Sequence, residues 1–349
     1  MSALTVLQVS YPFACVGPAA VGGAEQILTS LDRALVAHGH RSLVLAPEGS
    51  VVHGELIALP GIPETVDPAA RAFAYAAVRR TLARVVAERR VDVVHLHGVD
   101  FAQYLPEQGP PCVVTLHLSS DHYPELSAAR GPDLHLVCVS ETQRRAFARA
   151  RQDLSLVPNG IDLDALTPRV EIGDYAVCLG RICPEKGFHF ALDAAARIGL
   201  PIRLAGAVHP YDAHRRYFDA EIRPRLSASS TFLGPVDPAE RRTLLAHARC
   251  LVVPSLVAET SCLVAMEALA SGTPVVALDR GALRELVVPG RTGLLVQTPD
   301  ALADAIAAVG AIDRAGCRRM AEERFPAARM HDGYLRLYGR LTRAERRAS

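Results

Sequence analysis

Cys250-Leu-Val-Val-Pro-Ser-Leu-Val-Ala-Glu259-Thr-Ser-Cys-Leu-Val-Ala-Met-Glu267-Ala-Leu-Ala-Ser-Gly272-Thr-Pro-Val-Val-Ala277 is the stretch that decides the fold. It opens on an apolar run at 250–253, crosses a polar loop holding Glu259, and enters a helix-like stretch at 262–271. Gly272-Thr-Pro then stops that helix, and a second apolar run follows at 274–278. Neither run alternates polar with apolar residues, which is how strands buried on both faces of a parallel sheet read. Working outward, the same alternation fills the C-terminal half. Strands are expected at 175–179, 202–205, 230–233 and 294–296, with helices at 187–198, 213–226, 238–248 and 300–309.

An equivalent series precedes it, with strands at 4–9, 42–46, 91–96, 112–116, 134–139 and 154–157. Helices are expected at 23–37, 68–90 and 141–150, the last opened by Ser140 as a cap, and 49–67 reads as a compact connection. Val157-Pro-Asn-Gly-Ile-Asp162, with Pro168 beyond, is turn-forming and marks a hinge. The expectation is two doubly wound, Rossmann-like α/β domains facing a cleft, at 1–165 and 166–325, with a final helix within 326–349 crossing back to the first.

At 349 residues the chain is long enough for two domains, and half of it is apolar, so each half can bury a core. The formal net charge of +1 argues against nucleic acid or an acidic polymer as partner. No apolar run approaches the ~20 residues of a spanning helix. The first residues lack a secretory leader, so a cytoplasmic protein is expected. Eight cysteines, none in a C-x-x-C pair, read as small buried hydrophobes, because a zinc site needs tighter clustering. Of 38 basic residues only Lys186 is a lysine, which suggests a position needing a compact ammonium.

Chemistry is sought just after the strands, where open α/β sheets bind ligands. Leu179-Gly180-Arg181-Ile-Cys-Pro-Glu-Lys186-Gly187 puts two cations on one such loop, a reasonable clamp for a pyrophosphate. Glu259 and Glu267 are spaced so that one reaches a sugar ring while the other reaches a ribose. A carboxylate in so apolar a helix needs a partner, so Glu267 is alternatively a structural residue bonded to backbone or arginine. Gly22-Gly23-Ala-Glu25 opens a helix and reads either as a phosphate-binding turn or as a steric one. His95, His97, His117, Asp100, Asp121 and His122 gather at strand ends in the first half. They read as acceptor contacts, as structural hydrogen-bonders, or, for the first three, as zinc ligands. The arginines of 68–90 read as a solvated face, so membrane association is not expected.

The ordered set of Gly22-Gly23-Ala-Glu25, Val157-Pro-Asn-Gly-Ile-Asp162, Gly180-Arg181, Glu185-Lys186-Gly187, Glu259-x7-Glu267 and Ser271-Gly-Thr-Pro-Val-Val resembles the family-4 glycosyltransferases, retaining enzymes of the glycosyltransferase B fold. The resemblance runs through Gly281-Ala-Leu-Arg-Glu285 and Gly290-Arg-Thr-Gly-Leu-Leu295. It implies that Arg181 and Lys186 bind the donor diphosphate, with Gly22, Gly23 and Gly180 beside it. Glu259 would meet the donor sugar, with the backbone of Ser261, Cys262 and Leu263 nearby, and Glu267 would hold the ribose. Gly234 and Val236 would flank the base, and His117 would lie close to the reacting centre. His97, Asp100, Asp121 and His122 remain the acceptor candidates, and the acceptor is expected on the first-domain loops 11–22, 98–107 and 117–130. Thr260-Ser261-Cys262 departs from the aromatic or Pro-Gly that many members carry there, which leaves the sugar open.

The implied activity is retaining, metal-independent transfer of a hexosyl or pentosyl group from a nucleotide sugar, UDP-sugar favoured, to a small-molecule or short glycan acceptor. No cofactor and no metal is expected; the nucleotide sugar is a co-substrate. The alternatives are a sugar-nucleotide 2-epimerase on the same fold and a non-catalytic donor-binding protein. Replacing Arg181 or Lys186 by alanine is expected to lower turnover sharply with little unfolding.

Overall fold

A computed structural model of the chain describes every residue except 1, 2, 125, 127–132, 149, 150, 152, 169, 170 and 349. Parts of the expected 117–130 loop and the last two positions of the expected 141–150 helix therefore lie outside the described residues. The chain divides into two units, 1–158 with 328–349, and 159–327.

The first unit is built on seven parallel strands: β1 (Thr5–Val9), β2 (Arg41–Pro47), β3 (Glu55–Leu59), β4 (Val93–Leu96), β5 (Cys112–Leu116), β6 (Leu134–Cys138) and β7 (Leu154–Leu156). Their order across the sheet is β3-β2-β1-β4-β5-β6-β7. The central strands are buried along their whole length, which is why they read as unbroken apolar runs. Helices Gly23–Ala37 and Pro68–Glu88 follow β1 and β3. Asp67 caps the second, its carboxylate accepting from the Ala70 N–H at 2.7 Å, and Pro68 sits where a missing N–H is harmless. Leu7, Leu43, Leu82, Val94, Leu136 and Phe147 centre one core.

The final helix, Ala327–Ala348, belongs to this unit from residue 328 on. Its Tyr334 and Tyr338 are fully buried, and their hydroxyls reach Thr115 Oγ1 at 2.7 Å and His95 Nδ1 at 2.6 Å. A side chain at 333 would meet Val157 Cγ1 at 2.8 Å, so glycine there lets the helix lie close against the end of β7.

The second unit has six parallel strands: β8 (Ala176–Leu179), β9 (Ile202–Ala205), β10 (Ser230–Phe232), β11 (Cys250–Val253), β12 (Val275–Leu278) and β13 (Gly293–Val296). Their order is β10-β9-β8-β11-β12-β13, so both sheets follow the doubly wound pattern whose strand order reverses beside the first strand. Leu251, Val275, Ala265 and Leu269 fill one face of this sheet; Ile202, Leu204, Leu192 and Ile306 fill the other.

Besides the one-turn helix Leu283–Leu286, three elements differ from the sequence expectation. β3 occupies what read as connection. Helix Arg314–Arg324 is additional; it packs through Cys317 and Ala321, while Arg318 Nη1 donates to Leu166 O and to Ala270 O at 2.5 and 2.8 Å. The expected helix at 213–226 runs as an α-helix only over Asp212–Tyr217, passes through a π-turn at Phe218–Ile222 and ends at Arg223–Arg225, where Pro224 cannot donate.

Candidate active site

Glycines bring the loops of the second unit together. Gly206, at φ +149°, sits after β9, and a Cβ there would lie 1.8 Å from the Gly180 carbonyl oxygen at the end of β8. Gly187, at φ +62°, closes the turn Pro184–Lys186, and a Cβ there would lie 2.4 Å from Pro254 O after β11. The Leu256 N–H donates to Glu185 O at 2.8 Å and ties the same two loops. The close approach sets Lys186 Nζ 2.6 Å from Glu259 Oε1, an oxygen that also accepts from the Ser255 hydroxyl.

This pair is the electrostatic centre of the unit. The side chains retain 22% and 10% exposure. Burial raises the Glu259 pKa, but the Lys186 ammonium, the Ser255 hydroxyl and Arg181 outweigh it and hold the group below the usual carboxylate range. Burial likewise lowers Lys186, and Glu259 outweighs it, so both remain charged at neutral pH. Lys186 is therefore also placed to support the fold, and its alanine variant is expected to lose stability as well as turnover. Arg181 is different: its side chain is 40% exposed, and Glu185 Oε1 lies 4.0 Å away. It is the cation of this loop best placed to meet an anion from solvent.

Glu259 is held from the backbone as well. Its carbonyl accepts from Ala282 N at 2.7 Å, and Gly281, at φ +60°, comes so close that a Cβ would sit 2.3 Å from that same oxygen. Three residues on, Cys262 takes a left-handed φ of +48°, sparsely populated for a non-glycine residue, and caps helix Leu263–Ala270 without a side-chain hydrogen bond. The helix thus presents its first N–H groups, the positive end of its dipole. Ser261 beside them is fixed by Asn159 Nδ2 at 2.8 Å.

Glu267, on that helix, is 8% exposed and pairs with Arg241 at 3.1 Å. Of the structural partners open to it, backbone or arginine, the arginine is observed, which leaves a ribose role open. Burial still outweighs Arg241 and Arg242 and raises its pKa. Arg241 is delivered by helix Pro238–His247, which Asp237 and Glu240 close with a capping box. Gly234, at φ +72°, precedes it with open space around its Cβ position, and Val236 packs on the core.

The first unit holds a separate cluster. His95 uses both ring nitrogens, on Tyr338 and on Thr115 at 2.8 Å, so the zinc reading of His95, His97 and His117 is corrected: no lone pair of His95 is left for a metal. His97 Nδ1 meets His117 Nε2 at 3.1 Å and their rings stack. Burial lowers the pKa of all three, that of His117 to about 3, so they are neutral at physiological pH. His97 Nε2 is buried without a hydrogen-bond partner.

The acceptor candidates scatter. His97 is buried, while Asp121 and His122 are exposed on a 3-10 turn. Asp100 accepts from the Tyr75 hydroxyl at 2.5 Å and lies 3.9 Å from Arg71. Near this group is a cavity of about 290 Å³ that the sequence reading missed, lined by Phe13, Leu59, Pro60, Ala70, Phe73 and Ala74. Phe13 packs edge-on against Tyr75 and beneath the Arg71 guanidinium, which lies 5.8 Å from its centroid. Arg79 of helix Pro68–Glu88 donates to Gln103 O at 2.6 Å. No helix among the described residues is long and apolar enough to cross a membrane.

Two parallel sheets in this order, each with loops gathered after its first and fourth strands, define a two-domain α/β protein of the glycosyltransferase B fold. Residues 21–165 match the model described as Glycosyltransferase Family 4, and residues 173–310 match that described as Glycosyl transferases group 1. The chain belongs to the family-4 glycosyltransferases. It is 28% identical over 329 residues to a phosphatidyl-myo-inositol mannosyltransferase of Mycobacterium leprae, covering 82% of this chain and 83% of that one. Among solved structures, a sucrose-phosphate synthase from Thermosynechococcus elongatus is similar at TM-score 0.80 and 24% identity, over 98% of this chain and 100% of that one. AviGT4, a glycosyltransferase involved in avilamycin A biosynthesis, is similar at TM-score 0.72 and 23% identity, over 97% and 98%.

Proposed function

We propose that the protein transfers a glycosyl group, with retention, from a nucleoside diphosphate sugar held on the second unit to a hydroxyl of a small-molecule or short glycan acceptor. The observation that carries this is the Lys186–Glu259 pair with Arg181 exposed beside it, at the loops after β8 and β11. A diphosphate beside Arg181 and Lys186 completes the charge of the loop and is stabilised as it leaves. Glu259 keeps its second carboxylate oxygen for sugar hydroxyls. Glu267 takes the ribose while remaining on Arg241. No residue here is nominated as a nucleophile: the departing diphosphate accepts the proton of the attacking hydroxyl on the same face, which preserves the anomeric configuration. The transfer step needs no metal.

The acceptor is assigned to the first unit, where the cavity under Phe13 and Phe73 suits an apolar ring or chain, with Tyr75, Asp100 and Arg71 for its polar end. UDP-sugars are the first donors in this reading. A mannosyl donor is the second, favoured by the mannosyltransferase name of the 28%-identical relatives. We assign the protein to the cytoplasm, where nucleotide sugars are made. Incubation with UDP-glucose, UDP-galactose and GDP-mannose, followed by proton NMR of the anomeric signals, tests the proposal. Release of nucleoside diphosphate with an α-configured product supports it; a β-configured product from an α-linked donor refutes retention.

A further inference from the structure

The second unit carries a side-chain cluster that the transfer reaction does not use. Cys183 and Glu185 lie on the loop between β8 and helix Phe188–Arg197; His214 lies on helix Asp212–Tyr217, after β9. One ligand atom from each lies within 4.8 Å of the other two, and among the described residues this is the one group with metal-ligand geometry. Cys183 is fully buried, Glu185 is half-buried and His214 is 8% exposed. His214 Nδ1 is buried and has no hydrogen-bond partner. Buried imidazole nitrogens are ordinarily satisfied, so this one asks for a ligand the protein itself does not supply.

We propose that Cys183, Glu185 and His214 form a zinc site. Thiolate, carboxylate and neutral imidazole are the donor types Zn²⁺ takes, and three protein ligands leave a fourth tetrahedral position for water. The charge closes: one thiolate and one carboxylate neutralise the ion. Binding expels the Cys183 proton, and the metal supplies the driving force that burial withholds. Bonds of about 2.0–2.3 Å require the ligand atoms to draw together by about 1 Å. The Cys183 thiol now leans on Arg181 O at 3.6 Å, a weak contact that this closure gives up. Arg181, 4.0 Å from Glu185 and 40% exposed, turns out to solvent as the metal enters.

The ion's role follows from where its ligands sit. Cys183 caps the turn Pro184–Lys186 and Glu185 lies inside it, so the metal fixes the turn that presents Lys186 to Glu259. It braces the loop and takes no part in bond making. The sequence has no neighbouring cysteines at zinc spacings; the site is assembled by a loop and a helix that meet only in the fold.

The test is a titration of EDTA-dialysed, full-length protein with Co²⁺, read by absorption. The expected result is a thiolate-to-metal charge-transfer band and visible d–d bands saturating at one equivalent, displaced by Zn²⁺. Cys183→Ser abolishes the charge-transfer band, and His214→Ala raises the Kd about 10-fold or more. Cys15→Ser, which removes the exposed thiol, leaves both unchanged. Absence of the band in the wild-type protein, or its survival in Cys183→Ser, overturns the site. The wild-type titration decides even where a variant fails to fold. No donor is present, so the outcome is independent of the proposed transfer.

Discussion

Replacing Lys186 by alanine removes the partner of a carboxylate whose side chain is 10% exposed. Truncating one member of a fully buried pair typically destabilises by about 3–5 kcal/mol, because the other charge is left without compensation. Here Lys186 keeps 22% exposure and Ser255 still donates to Glu259, so the figure is discounted to about 2 kcal/mol. For a unit of this size that corresponds to a fall in Tm of about 4–8 °C. Glu259→Gln is expected to destabilise by a similar amount, since it strands the ammonium. The double variant Lys186→Ala with Glu259→Gln strands neither charge, and its loss is smaller than the sum of the singles by about 1–2 kcal/mol. Urea unfolding of the four proteins completes the cycle. Additive losses would show that the 2.6 Å contact carries no coupling and would refute the reasoning.

Arg181→Ala separates function from stability: it is expected to leave the unfolding free energy from urea titration within about 0.5 kcal/mol of the wild type while lowering kcat at least 100-fold in a nucleoside diphosphate release assay. Arg241→Ala leaves Glu267 buried and without its cation, and its measured pKa, followed by carboxyl NMR against pH, is expected to rise further. Acid stability follows from the histidines. His95, His97 and His117 stay neutral in the fold, while the unfolded chain takes up protons near pH 6.5. Their contribution is therefore present above that pH and is lost as pH falls from it toward the folded values, about 3 for His117, at about 1.4 kcal/mol per pH unit for each. Glu267, whose pKa is raised, works in the opposite sense. Urea midpoints between pH 7 and 5 should fall steeply for the wild type and less steeply for His97→Gln; equal slopes would contradict this.

Much of the fold is legible in one dimension because strands buried on both faces leave continuous apolar runs, as β5 and β11 do. β3 escaped because an edge strand of five residues with Glu55 and exposed Ala58 lacks that signature. Helix Arg314–Arg324 escaped because its surface is mostly charged and its buried face is only Cys317 and Ala321. At the site, residue types and strand ends pointed to the loops, whereas pairings did not. That Lys186 meets Glu259, that Glu267 meets Arg241, and that His214 meets Cys183 are tertiary facts between residues tens of positions apart. The apolar cavity was hidden for the same reason: Leu59-Pro60-Gly61 is unremarkable until β3 and helix Pro68–Glu88 bring it to Phe73.

Thermal denaturation with UDP, GDP, ADP and dTDP, run on the wild-type protein and on Arg181→Ala, tests the donor site most directly. A nucleotide at 100 times its Kd adds about 2.7 kcal/mol to the stability of what it binds, a rise in Tm of about 5–10 °C for this unit. The account predicts such a rise with one of the four, strongly reduced in Arg181→Ala. No rise with any of them in the wild-type protein would contradict it.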